Sequence, residues 1–413
     1  MFTEMPGFVR PHIFTARLLD SAPNCVIIRS ILCMEKLMKA YLDNSATTRP
    51  DDRVIEKMAA CMREGYFNPS SVYAPAVDAL RAVRGCREEI LKSVRGADCK
   101  LVFTSGGTEA NNLAILGAAE KMRGLCAAAV SAVEHPSVLA ACAALSARGV
   151  DVRLIGVDET GKLDFAALER ALEDGAKLVS VMQVNNETGA LNDIRRVHTL
   201  IGGRALLHVD GVQGYLRVPF EMKDCELYTL SAHKIHGPKG IGALICKNGV
   251  RLTARAMGGG QEENLRSGTE NTPGIAGLRE AVRIMGDCDM GALMEMKRHL
   301  IAAFREAVPE AQINGPDPEA AAPHIANLSF PGVRGEVLLH ALEAEEIYAS
   351  TGSACSSKKT KVSKVLIAMG MNAARAGSAL RFSISPHTTR EEIDYAAGKL
   401  KKIYGELKRF QRR

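Results

Sequence analysis

Residues 101–124 read "LVFTSGGTEANNLAILGAAEKMRG", and their order decides the fold. "LVFTS" (101–105) is a short apolar run of strand character. Gly106 and Gly107 follow as a turn, and "EANNLAILGAAEKMRG" then reads as a helix. The same alternation continues outward. "AAAVSAVEH" (127–135), "DVRLIGVD" (151–158), "KLVSVMQVNN" (177–186), "ALLHVD" (205–210), "ELYTLSAH" (226–233) and "IGALICK" (241–247) read as further strands. Helical stretches such as "HPSVLAACAALSARG" stand between several of them. Apolar strands alternating with helices predict an α/β fold, its mainly parallel sheet covered by helices on both faces.

Beyond this region the pattern changes. "AMGGGQEENLRSGTENTPG" (256–274) is glycine-rich and polar and predicts a long loop, followed by a helical segment to about residue 308. "IANLSF", "EVLLHALEAEEIYAS" and "ALRFSIS" then suggest a smaller α+β unit. The expected division is a large domain over residues 50–289 and a small domain made of 34–49 plus 290–413. "YLDNSATTRP" is expected to pack on the small domain. Residues 1–33 lack sustained periodicity and are expected to form an unstructured extension, with Met34 resembling a natural start; an organelle transit segment is the other reading.

At 413 residues, with 46% hydrophobic and 24% charged residues, the chain can build a sizeable core. A net charge of +6 permits an acidic partner without demanding one. Much of the excess lies in "KLKKIYGELKRFQRR" (399–413), which reads as a helix with cations near its C-terminus. Direct nucleic-acid binding is not expected. The 11 cysteines are irregularly spaced and include no CxxC pair, so neither a disulfide framework nor a zinc site is expected. That usage suits the cytoplasm. No apolar run has the length to span a bilayer.

The chemistry gathers at strand ends. Gly106, Gly107 and Thr108 between a strand and a helix can cradle an anion, although such turns also serve as plain caps. His135 in "VEHPSV" fits a helix cap as well as a reacting group. Asn185 and Asn186 in "VNNETG" fit a turn. Asp210 in "HVDGVQ" places a carboxylate after an apolar run, which is costly unless it is paired; Gln213 lies one turn on. Lys234 stands in "LSAHKIHGPKG" (230–240) between Ser231, His233 and a glycine turn. Ligands of open parallel sheets bind beyond the carboxyl ends of the strands. A lysine for a Schiff base, an acid for a pyridinium nitrogen and a phosphate cradle together suit pyridoxal 5'-phosphate. Cys355 in "STGSACSSKKTKVSK" has small residues before it and lysines after it, a setting that favours a reactive thiolate.

In order, "NSATT", "NPSS", "TSGGTEANN", "EHPSVL", "VNNETG", "HVDGVQ", "SAHKIHGPKG", "RSGTENT", "GSACSS" and "LRFSIS" resemble the NifS-like cysteine desulfurases, which are class V, fold-type I pyridoxal-phosphate enzymes. The resemblance covers residues from about 41 to 400. It implies that Lys234 carries the cofactor, that His135 stacks on its ring and moves protons, and that Asp210 pairs with the ring nitrogen. It further implies that Gln213 and Asn186 lie near the phenolic oxygen and the substrate, and that Gly107, Thr108, Ser231 and His233 grip the phosphate. Thr269 would reach the phosphate of a neighbouring subunit, which implies a homodimer. Arg381 would bind the substrate carboxylate. Cys355 would take sulfur from L-cysteine as a persulfide, leaving alanine, and pass it to an iron–sulfur scaffold or a tRNA-thiolation enzyme. Tyr73 departs from the family, which often has histidine there. The alternatives are a selenocysteine lyase, a class V aminotransferase acting on another small amino acid, a scaffold that has lost its chemistry, and a metal hydrolase using "HKIH" and His135. The last has no HExxH ligand pattern to support it.

Overall fold

The computed structural model describes residues 38–352 and 362–411. The predicted extension over residues 1–33 and Cys355 lie outside the described residues. Lys39–Arg413 form one compact unit.

Its centre is a seven-stranded sheet. The strands are β2 (Cys99–Thr104), β3 (Ala127–Ser131), β4 (Asp151–Ile155), β5 (Ala176–Met182), β6 (Leu206–Asp210), β7 (Leu227–Ser231) and β8 (Gly242–Lys247). A two-residue strand, β1 (Ala40–Tyr41), precedes them. The order is β2-β8-β7-β6-β5-β3-β4. Every neighbour pair from β7 to β4 is parallel, whereas β8 runs antiparallel to both β7 and β2. The carboxyl ends of β2, β3, β5, β6 and β7 therefore share one edge.

Side-chain alternation splits the two faces. Leu101, Phe103, Val209, Tyr228, Leu230, Ala243 and Ile245 pack into one apolar cluster with the helices Ala74–Ser93 and Thr272–Gly286. Val102, Leu227, Leu244 and Cys246 face the other way, onto Ala110, Leu113 and Ala114 of the helix Gly107–Ala119. That helix is apolar almost all round because it is buried almost all round.

The predicted helix to about residue 308 is two helices, Thr272–Gly286 and Met290–Ala307. The Asp289 carboxylate accepts from Gly291 N and Ala292 N, at 2.7 and 3.2 Å, and so starts the second helix afresh. Beyond them lies an antiparallel sheet of β9 (Gln312–Ile313), β10 (Ile325–Ser329) and β12 (Ala379–Ser383), in the order β12-β10-β9. β1 pairs in parallel with β11 (Ile347–Tyr348), which carries the "YLDN" stretch onto this region. A separate apolar cluster fills it, centred on Phe304, Phe330, Phe382 and Tyr404, with Phe304 and Phe382 edge to face at 4.7 Å. Among the described residues no helix is long and apolar enough to cross a membrane.

Candidate active site

At the shared carboxyl edge opens a cavity of about 310 Å³. Gly107, Thr108, His135, Asn186, Asp210, Gln213, Ser231, His233, Lys234 and Arg381 all line it. These residues span most of the chain, and sheet order brings them together.

The anion cradle forms first. Gly106 takes φ 153° and ψ −175°, a region open essentially only to glycine. This turns the chain sharply from β2 into the helix Gly107–Ala119, whose N-terminal N–H groups and dipole then face the cavity. Gly242, at the start of β8, lies against this turn: a Cβ there would stand 2.8 Å from Gly106 Cα and 2.7 Å from Leu230 O. The hydroxyl of Ser231, beside this turn, is buried without a hydrogen-bond partner among the described residues. An unpaired buried donor beside a helix N-terminus suits a phosphate.

Asp210 ends β6. Its carboxylate accepts from Asn111 Nδ2 at 2.8 Å and from Val212 N at 3.0 Å. Asn111 Nδ2 also donates to Ser137 Oγ, which lies 2.8 Å from His135 Nδ1. Ser137 N donates to the same Nδ1 at 3.1 Å, so His135 does cap its helix. With Nδ1 an acceptor, the ring proton of neutral His135 sits on Nε2. Burial lowers the pKa of His135, opposed by Asp210 and assisted by Lys234.

Lys234 Nζ donates to Ser45 O at 2.6 Å and to Ala46 O at 2.7 Å. Burial, then Lys234 and Lys239, depresses His233 to about 4, so its ring is neutral at pH 7. Arg381 projects from β12 and is buried. Its Nη1 donates to Asn186 O at 2.9 Å and its Nη2 meets Asp43 Oδ1 at 2.7 Å. A planar guanidinium held at two points is a preoriented carboxylate receptor.

Beside Asn186, the Glu187 carboxyl is buried and its pKa is raised, chiefly by desolvation. Ser363 Oγ donates to Glu187 Oε2. A Cβ on Gly352 would lie 2.8 Å from that same Oε2 and 3.5 Å from Ser363 Cβ. The two ends of the stretch that contains Cys355 thus meet at one carboxyl.

The site differs from the sequence expectation in what it adds. Ser45 and Ala46, through main-chain oxygens, and Asn111, Ser137, Met182 and Val212 also line the cavity. Asn111, one turn into the helix after the glycines, could have been found from its position. Thr269 does not line the cavity and is exposed on the 256–274 loop. Tyr73 is exposed and stands just before the helix Ala74–Ser93.

The residues present fit pyridoxal phosphate: a cradle with an unpaired hydroxyl, a fixed carboxylate, an imidazole and a lysine share one cavity. Comparison with known proteins agrees. The aminotransferase class-V family profile matches residues 40–396. A protein of Sinorhizobium fredii named cysteine desulfurase is 40% identical over 365 residues, covering 86% of this chain and 93% of that protein. A solved NifS-like protein superposes with a TM-score of 0.82 at 32% identity, over 89% of this chain and 100% of the other. The structure titled SspA in complex with cysteine gives a TM-score of 0.74 at 28% identity, over 85% and 100%. The chain belongs to the aminotransferase class-V family and, within it, to the pyridoxal-phosphate-dependent cysteine desulfurases.

Proposed function

We propose that this cysteine desulfurase moves the sulfur of L-cysteine onto Cys355 and then to an acceptor protein, with Lys234, His135, Asp210 and Arg381 as the working residues of the cavity. The observation that carries this reading is the convergence of those four described residues on one cavity beside the anion cradle. When bound, pyridoxal phosphate supplies an aldehyde that condenses with an amine and a ring that accepts electrons. Gly107, Thr108, Ser231 and His233 would hold its phosphate, and Asp210 its ring nitrogen.

Lys234 provides the amine, and its Nζ can take and return the substrate's Cα proton. The carbonyls of Ser45 and Ala46 orient that nitrogen. Arg381 binds the carboxylate of L-cysteine and so fixes which face meets Lys234. Nε2 of His135, the protonated ring nitrogen, can move a second proton. The Cys355 thiolate attacks the substrate sulfur: an S–S bond forms, the substrate C–S bond breaks, and its electron pair ends on the carbon that becomes the alanine methyl group. The products are L-alanine and a persulfide on Cys355.

A homodimer is the reading under which Thr269, exposed and away from this cavity, reaches the phosphate of a neighbouring subunit, and a cytoplasmic site of action is drawn from the cysteine usage. The separate apolar clusters fit a cofactor domain over 50–289 and a smaller domain over 34–49 plus 290–413. An iron–sulfur scaffold or a tRNA-thiolation enzyme is the proposed sulfur acceptor.

The test begins with the purified protein, which should be yellow and should release alanine and sulfide from L-cysteine with a thiol reductant. Lys234→Ala should lose the colour, and Cys355→Ser should keep it and lose sulfide release. Normal sulfide release by Cys355→Ser refutes the persulfide role.

A further inference from the structure

His324 is fully buried immediately before β10, and no step above uses it. Its carbonyl accepts from Ile384 N at 3.0 Å, which pins the residue to the end of β12. Its Nε2 lies 3.2 Å from Gln213 Oε1. Gln213 lines the cavity, and its Nε2 donates to Ser45 O at 2.9 Å. That carbonyl also accepts from Lys234 Nζ. A chain of hydrogen bonds therefore joins the small sheet to the lysine through one carboxamide.

The direction of the carboxamide follows from its partners. Ser45 O can only accept, so the nitrogen of Gln213 must face it. The oxygen then faces His324, whose Nε2 must carry a proton. Burial and then the surrounding cations keep the His324 ring neutral. Burial depresses its pKa most, and Arg217, Lys297, Arg381 and Lys234 all face it as cations. A neutral ring has one proton, and Gln213 Oε1 fixes it on Nε2. Nδ1 has no hydrogen-bond partner among the described residues. Turning the amide over would set oxygen against oxygen at Ser45, and the His324 proton would have to move to Nδ1, where no described residue accepts it.

We propose that His324 is a positioning residue that locks the Gln213 carboxamide, so that it offers the cavity an N–H donor and not a carbonyl. The ligand atom opposite is then an acceptor, and an oxygen that carries negative charge suits it best. The inference rests on the reading that pyridoxal phosphate occupies the cavity, with its phenolic oxygen beside Gln213. A fixed donor stabilises negative charge on that oxygen. The charge is most concentrated once the nearby nitrogen has lost its proton, so the donor lowers the pH at which the cofactor's absorbance changes.

The experiment is a pH titration of the cofactor's absorbance in the holoenzyme. His324→Leu should raise the midpoint by about 1 pH unit. His324→Gln, which restores a donor near the position of Nε2, should bring it back towards wild type. Gln213→Glu, which replaces the donor with oxygen, should raise it independently, and His324→Phe, which fills the buried space without a donor, should raise it too and covers the case in which His324→Leu does not fold. An unchanged midpoint in His324→Leu, whatever Gln213→Glu gives, with a wild-type band that disappears in Lys234→Ala, overturns the inference and leaves the cofactor reading intact. A wild-type spectrum that Lys234→Ala does not alter overturns both.

Discussion

Replacing Gly242 with alanine should damage the cofactor cradle from behind. A Cβ at this position would meet Leu230 O at 2.7 Å, Gly106 Cα at 2.8 Å and Gly106 C at 2.9 Å. Ordinary carbon contacts begin near ~3.5 Å, so each atom must retreat by several tenths of an ångström. All three belong to the main chain, and no side chain can rotate away. Relief must come either from Gly106, at the head of the cradle, or from the pairing of Ser231 with Gly242. Overpacking costs about 1–3 kcal/mol, and rigid neighbours on both sides place this case near the upper figure. At about 2.1 cal/mol/K of unfolding entropy per residue, a 413-residue chain shifts by roughly 1 °C per kcal/mol, so the cofactor-free protein should melt roughly 3–4 °C lower. Displacing the turn should also weaken pyridoxal phosphate binding by at least about tenfold, the equivalent of ~1.4 kcal/mol. Calorimetry of the cofactor-free protein and an absorbance titration with the cofactor read the two effects separately. A melting temperature and an affinity both close to wild type would show that the cradle does not depend on this contact.

Other perturbations test other parts of the molecule. A Cβ at Gly398 meets nothing within 4 Å inside the helix Arg390–Gln411, so Gly398→Ala should stabilise by about 0.5–1 kcal/mol; a lower melting temperature contradicts this. His208 is buried between Ser180 Oγ and Thr229 Oγ1, and burial depresses it to about 4. The unfolded chain takes up that proton near pH ~6.5, so stability should fall as pH drops from about 6.5 to 4, by roughly 2 kcal/mol between pH 7 and 5. Glu134, whose pKa burial raises, acts oppositely and loses stability as pH rises above its unfolded value. Denaturant midpoints of wild type and His208→Asn at both pH values isolate the histidine, and equal slopes count against it. Arg381→Lys keeps the charge but loses the fork that spans Asn186 and Asp43. KM for L-cysteine should rise at least about tenfold, with the cofactor absorbance unchanged, and a KM within twofold of wild type argues against the carboxylate role.

The residues legible in the sequence are those whose side chains are out of place unless they do chemistry. Asp210 after "ALLHV" and Lys234 after "LYTLSAH" are costly at buried strand ends, and the glycines after "LVFTS" mark a cradle. Ser45 and Ala46 gave no such signal, because they act through carbonyl oxygens that every residue has. Ser137 was masked by the histidine beside it. The antiparallel course of β8 was also hidden, since an apolar strand has the same composition in either direction. Asp287–Asp289 interrupts an otherwise continuous helical pattern, and the break shows only once Asp289 is seen capping the second helix. The link from His324 to Gln213 crosses 111 positions of sequence and two sheets, and no local pattern encodes it.

The meeting of Gly352 and Ser363 on the Glu187 carboxyl has a consequence for substitution. Gly352 holds φ +109°, and a Cβ there would press on Glu187 Oε2, so any side chain at 352 is strained. Glu187 is buried and takes its hydroxyl donor from Ser363. The three positions can therefore vary only in concert, since a change at one leaves a clash or an unpaired buried oxygen at another.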